Sequence, residues 1–179
     1  MSDTNGELVR IPVDGVELEG DLAIPDGAPG IVVFAHGSGS SRKSPRNNYV
    51  AEVIRDRGLG TLLFDLLTED EDEEYEGRFD VPLLTERLVA VTEWLRSRQE
   101  TADLAVGYFG SSTGAAAALL AAAERRDDTA AVVSRGGRVD MAEERLGEVT
   151  APTLFVVGGA DDVVLGLNRD AYAELDCEK

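Results

Sequence analysis

Apolar and polar positions fall into two kinds of run along the chain. Glu7 to Val13 and Val16 to Ile24 alternate between apolar and polar residues, with Asp14-Gly15 between them, which predicts an antiparallel hairpin. Gly30 to Ala35 and Thr61 to Phe64 are short apolar runs without alternation, as expected for strands buried on both faces. Leu104–Phe109, Ala130–Ser134 and Thr153–Val157 read as three further strands. Helical spacing fills the intervals. Pro45 to Arg57 places Val50, Val53 and Ile54 on one face and stops at Gly58. Asp80 to Gln99 repeats Leu84, Leu88, Val91 and Leu95 as a single apolar stripe. Ser112–Arg126, rich in Ala and Leu, the short Met141–Leu146 and Val163–Leu175 complete the helices. After the hairpin, strands and helices alternate. That order predicts an α/β fold: a mostly parallel sheet with helices on both faces and right-handed crossovers. No internal repeat interrupts it, and Glu69 to Glu76, seven acids in eight residues, predicts a solvated loop.

The 179 residues suit a single domain spanning 1–179. At 43% hydrophobic and 29% charged, the chain can build both a core and a solvated surface, which excludes global disorder. Met1 to Arg10 is too polar for a secretory signal, and the apolar stretch Gly114–Ala123 is too short to cross a bilayer. The lone Cys177 cannot form an internal disulfide. A soluble cytoplasmic protein is expected. The net charge of −18 repels phosphate backbones, so neither nucleic acid nor anionic membrane is an expected partner. Two lysines, Lys43 and Lys179, stand against 15 arginines. High acid, low Lys and abundant Ala resemble the composition of proteins from salt-accumulating halophiles; the plainer alternative is an acidic product of a GC-rich genome.

Candidate chemistry begins with Gly110-Ser111-Ser112-Thr113-Gly114, a Gly-x-Ser-x-Gly between a predicted strand and a predicted helix. A serine on such a sharp turn projects its hydroxyl above the sheet edge, beside the positive end of the helix dipole. Side chains at the flanking glycines would strike the neighbouring strand and helix. The spacing selects Ser112 as nucleophile, because Ser111 would need a glycine where Phe109 stands. The plainer reading is a turn with an N-cap serine. At the end of the strand Ile31–Ala35, His36-Gly37-Ser38-Gly39-Ser40-Ser41 can aim backbone N–H groups at a developing oxyanion. The N–H groups of Ser38 and Thr113 are the candidates. A phosphate-cradling loop is the alternative, but the Gly-Lys-Ser/Thr of a Walker loop is absent. Gly158-Gly-Ala-Asp161-Asp162 follows the last strand, where a carboxylate can orient a histidine; Asp161 is the first candidate and Asp162 the second. Either could instead cap the next helix. Arg135 and Arg138 follow a strand on the same side, where an arginine can steer a carboxylate substrate or pair with a surface acid. Trp94 reads as packing and Cys177 as inert. No His/Cys/carboxylate cluster has metal-ligand spacing, so neither metal nor cofactor is expected.

Taken together, Phe34-Ala-His-Gly-Ser-Gly, Gly110-Ser-Ser-Thr-Gly and Gly158-Gly-Ala-Asp-Asp-Val-Val resemble the α/β-hydrolase superfamily, and more narrowly the small dienelactone-hydrolase-like proteins. The resemblance implies an α/β-hydrolase fold acting on carboxylic esters or lactones. It implies Ser112 as nucleophile, Asp161 as acid, oxyanion contacts at Ser38 and Thr113, and a loop shaped by His36 and Gly37. True dienelactone hydrolases use a cysteine where this sequence has Ser112. The family's His-bearing loop, last strand and closing helix follow the helix that here ends near Leu175, and His36 is the only histidine. The sequence therefore reads as C-terminally truncated, either a fragment or an incomplete hydrolase. The competing expectation is an inactive remnant or small-molecule binding protein, with His36 as a surrogate base a third course. Without the last strand, the edge at Thr153–Val157 is expected to be apolar and to favour self-association.

Overall fold

The computed structural model describes residues 6–179; Met1–Asn5, the start of the polar N-terminal stretch, lie outside the described residues. The hairpin is β1 (Glu7–Val13) and β2 (Val16–Ala23), and its turn is built from Asp14 at φ 43° and Gly15 at φ 85°. Both residues in the left-handed region make a turn whose twist matches the strands it joins. Five strands follow: β3 (Gly30–Ala35), β4 (Gly60–Phe64), β5 (Ala105–Ser111), β6 (Thr129–Arg135) and β7 (Thr153–Val156). They form one seven-stranded sheet in the order β1-β2-β4-β3-β5-β6-β7. β2 meets β4 antiparallel, and every pair from β4 onward is parallel. The α/β class and mostly parallel sheet read from the alternation are those of the structure. The strand beside β5 is β3, so the predicted oxyanion loop and the serine turn leave the sheet side by side.

Two cores sandwich the sheet. The larger one packs α3 (Val81–Ser97), α4 (Thr113–Glu124), a 3-10 helix (Val139–Glu148) and α5 (Asp162–Glu174) against one face. Leu84, Leu88, Val91 and Leu95 are all buried in it, as their spacing requires. The alanines of α4 are buried almost without exception, which lets its backbone lie close to β3, β5 and β6. The smaller core is Phe34, Ala51, Leu63 and Phe109 beneath α1 (Pro45–Asp56) on the opposite face.

Two local readings are corrected. The inner face of α1 is centred on Asn47 and Ala51, with Val50 and Ile54 beside them, while Val53 points largely to solvent. The acidic run is no open loop: Glu69–Glu73 forms a short helix, α2, started by a capping box between Thr68 and Glu71. Thr-x-x-Glu satisfies two backbone donors reciprocally, and acids in the first turn complement the helix dipole. A 3-10 turn, Gly77–Phe79, links α2 to α3. At the far edge, the Thr153 N–H donates to the Glu178 carbonyl at 2.9 Å, so the segment after α5 lies beside the start of β7. Leu154 and Val156 of β7 are exposed, at 58% and 47%.

Candidate active site

Ser112 sits between β5 and α4 at φ 53° and ψ −122°, a backbone state in which a Cβ is crowded. Neighbouring backbone holds it there. The Ser112 N–H donates to the Arg135 carbonyl at 3.4 Å, and the Ser112 carbonyl accepts from the N–H groups of Ala115 at 3.1 Å and Arg138 at 3.0 Å. The flanking glycines are steric necessities. A Cβ on Gly110 would lie 2.5 Å from Ala115 Cα, and one on Gly114 would lie 2.1 Å from the Ala35 carbonyl oxygen. The helix thus starts almost in contact with the end of β3. Ser112 makes no side-chain cap hydrogen bond, in contrast to Ser44 and Asp80 at the starts of α1 and α3. Its hydroxyl caps no backbone N–H of the helix, unlike that of an N-cap serine.

The loop after β3 closes over this turn. Gly37 is pressed against it, since a Cβ there would stand 3.0 Å from Ser112 Cβ and 3.2 Å from the Ser111 carbonyl oxygen. Ser38 Oγ donates to the Arg78 carbonyl at 2.9 Å and lies 3.3 Å from Thr113 Oγ1. That contact brings the Ser38 and Thr113 backbones together. Neither residue's N–H donates to a backbone acceptor among the described residues. Two unspent donors beside a strained serine can stabilise negative charge developing on an oxygen. The role of Arg78 was not legible in the sequence, because its carbonyl reaches Ser38 only through the fold of the acidic segment. Arg78 Nε donates to the Asp72 carbonyl at 2.7 Å, which ties that segment together over the loop.

His36 faces away from Ser112's strand. Its Nε2 accepts the Leu66 N–H at 3.0 Å, beyond β4, and Nδ1 lies 2.9 Å from the Gly37 carbonyl. An accepting Nε2 places the proton on Nδ1, so the ring is neutral and donates to Gly37. Burial pushes its pKa below the usual histidine value, outweighing the hydrogen bond to Gly37 and the charges of Asp65 and Asp72. Both ring nitrogens are committed to backbone, which leaves none to accept a proton from Ser112. His36 thus joins the Gly37 carbonyl to the Leu66 N–H.

Asp161 stands at the N-cap of α5, where Oδ1 accepts the Val164 N–H at 3.1 Å. It is exposed and lies at the same carboxyl edge of the sheet as Ser112, with β6 between their strands. Asp162 is the first residue of α5. The structure thus gathers Ser112, Thr113, Gly37 and Ser38 into one constellation and sets Asp161 apart from it. Of the two arginines, Arg138 pairs with Asp140 through two bonds of 2.9 and 2.8 Å, while Arg135 reaches Ser111 Oγ and Asn47 Oδ1. Asn168, buried in α5, donates to the Gly137 carbonyl at 3.0 Å and so braces the turn that holds the Ser112 carbonyl. Among the described residues, no three His, Cys, Asp or Glu side chains are grouped to share a metal ion, and no helix is long and apolar enough to cross a membrane.

Comparison with known proteins agrees with the fold. The model of the dienelactone hydrolase family matches residues 18–174. A dienelactone hydrolase from Anabaena variabilis is 54% identical and superposes with a TM-score of 0.94, covering 97% of this chain and 82% of its own. An alpha-beta serine hydrolase homologue from Coxiella burnetii, 19% identical, shares the fold with a TM-score of 0.81 over 97% of this chain and 84% of its own. Sequences from two Mycobacterium tuberculosis strains are 56% identical over 167 residues, 93% of this chain, and each is provisionally named a phosphoribosyl transferase. The chain spans 38% of the length of these relatives.

Proposed function

The chain belongs to the dienelactone hydrolase family, and on that premise we propose that it hydrolyses carboxylic esters or lactones with Ser112 as nucleophile. The observation that carries this reading is the uncapped Ser112 at φ 53°, held between two glycines that tolerate no side chain. Ser112 Oγ attacks the carbonyl carbon, and its proton passes to an imidazole. The carbonyl oxygen becomes an oxyanion held by the Ser38 and Thr113 N–H groups. Collapse of the tetrahedral species expels the alkoxide, which takes the proton from the imidazolium, and water then releases the acid by the same steps. Asp161 orients that imidazole. Because His36 is the only histidine and both its nitrogens are engaged, the imidazole comes from outside these 179 residues.

That last point favours a second reading for the 179 residues taken alone: a pocket that binds an ester without turning it over. The phosphoribosyl transferase name belongs to relatives of which this chain spans 38%, and the hydrolase chemistry is assigned here to the matched part. The test is turnover of p-nitrophenyl acetate by the protein purified from its native cells, in high salt, beside its Ser112→Ala variant. Ser112→Ala is expected to lower kcat at least about a thousandfold with the melting temperature retained. Undiminished turnover in the variant rejects Ser112 as nucleophile. Absence of turnover in both forms, with an ester still bound, favours the second reading.

A further inference from the structure

One turn, residues 135–138, grips the main chain of Ser112 at both ends. The Arg135 carbonyl accepts the Ser112 N–H at 3.4 Å, and the Arg138 N–H donates to the Ser112 carbonyl at 3.0 Å. The left-handed backbone of Ser112 therefore depends on where this turn sits. Three contacts set its place. Gly136, at φ 53°, donates its N–H to the Val156 carbonyl at the end of β7, at 2.7 Å. Gly137 is pressed against Ser134 and Ala115, since a Cβ there would lie 2.3 Å from Ser134 Oγ and 2.7 Å from Ala115 Cβ. The third contact is the Gly137 carbonyl, which accepts Asn168 Nδ2 at 3.0 Å.

Asn168 has a second partner. The same Nδ2 donates to the Val164 carbonyl at 2.8 Å, while the Val164 N–H donates to Asp161 Oδ1 at 3.1 Å. One amide thus reaches in one direction to the turn that holds Ser112 and in the other to the residue that Asp161 caps. Its burial works against stability. Asn168 is 3% exposed, and its Oδ1 is buried without a hydrogen-bond partner among the described residues. Ser134 Oγ, against Gly137, is likewise buried and unpartnered among them. Unpaired polar atoms in a core destabilise it, and where they persist they point to a demand other than stability. A leucine would occupy similar space without that penalty, and would donate to neither carbonyl.

We propose that Asn168 is a positioning residue, whose amide clamps the turn 135–138 to the first turn of α5 and so fixes Ser112 relative to Asp161. The proposal rests on the reading of Ser112 and Asp161 as nucleophile and acid. No hydrogen bond joins Asp161 to Ser112 or to the turn among the described residues, and the side-chain bonds that span the two come from Asn168. A displacement of about 1 Å between reacting groups costs up to about a hundredfold in rate, so a clamp of this kind acts on turnover without touching substrate.

Steady-state hydrolysis of p-nitrophenyl acetate by the protein purified from its native cells tests this, in Asn168→Leu and Asn168→Ser, each with and without Asp161→Asn. Leucine removes both donors at similar volume. Serine keeps a hydroxyl that bonds the helix carbonyl four residues back and leaves Gly137 without its donor, the milder change where Asn168→Leu folds poorly. Both are expected to lower kcat at least about tenfold and to leave KM within about twofold. In the Asp161→Asn background the same changes are expected to cost less than about twofold, because the alignment they disturb has lost its acid. A packing role alone would shift the melting temperature and leave kcat, or would add in full to Asp161→Asn; either result overturns the proposal. Amide exchange followed by NMR reads the geometry without turnover. The Ser112 and Arg138 amides are expected to exchange faster in both variants, and unchanged rates at these two overturn the proposal as well. Turnover that survives Ser112→Ala removes the nucleophile reading and the catalytic role of Asn168 with it. Wild-type kcat in the Asn168 variants, beside an inactive Ser112→Ala, removes Asn168 alone.

Discussion

His36 is held neutral from two directions, since Nε2 accepts a backbone N–H and burial opposes the charged form. In the unfolded chain the ring protonates near pH 6.5, about the ordinary histidine value. The folded state resists that proton, so the contribution of His36 is fully present above that pH and is lost as pH falls toward its lowered folded value. Melting temperature is expected to drop across this acid window, and His36→Gln, whose amide oxygen can still accept the Leu66 N–H, is expected to flatten the drop. An unchanged pH profile in His36→Gln would remove His36 as its source. At this scale the sequence was informative wherever sterics dictate the residue. Gly110, Gly114 and Ser112 could be read because no other arrangement of small residues lets a strand turn so sharply into a helix. Asp161 could be read only as one of two neighbours, because a capping aspartate and a triad aspartate look alike until partners are seen. The engagement of His36 with Leu66 and of Ser38 with Arg78 depends on loops that meet only in the fold.

Elements were legible in proportion to the strength of their periodicity. The hairpin, the buried strands and α3 stand at their predicted places with shifts of one or two residues at most ends. The face of α1 was misjudged because Val53 looks like core by its type, while the sheet is met by Asn47 and Ala51. α2 is hidden by its charge, since seven acids in eight residues argue for solvation and only Thr68-x-x-Glu71, a capping box in the fold, marks a helix start. The β7 edge brings a prediction of its own. Leu154 and Val156 are exposed on an outer strand, and exposed apolar side chains on an edge strand favour association with other chains. Sizing experiments in molar salt are expected to show association that the pair Leu154→Lys and Val156→Lys abolishes. Equal elution of the variant and wild type as monomers would reject this edge as the contact.

Over the whole molecule, charge sets the terms. A net charge of −18 on 179 residues makes the compact state repel itself, and dissolved salt screens that repulsion. The melting temperature is expected to rise steadily from about 0.1 M to 2 M potassium chloride, on the scale of a Debye length falling from about 10 Å toward 3 Å or less. A flat response would favour the plainer account of the acidic composition. Overall class could be read from the alternation of elements alone, since a parallel sheet requires crossovers. Strand order could not, because nothing local records that β3 lies between β4 and β5.

That order has a kinetic side. Gly114 is packed so closely on the Ala35 carbonyl that β3 and the start of α4, far apart in sequence, must dock before Ser112 acquires its backbone state. Contacts of such long sequence separation form late, because the loop between them must first be closed. The strained backbone of Ser112 is thus created at the end of folding, and a nascent or partly unfolded chain carries an ordinary serine turn at that position.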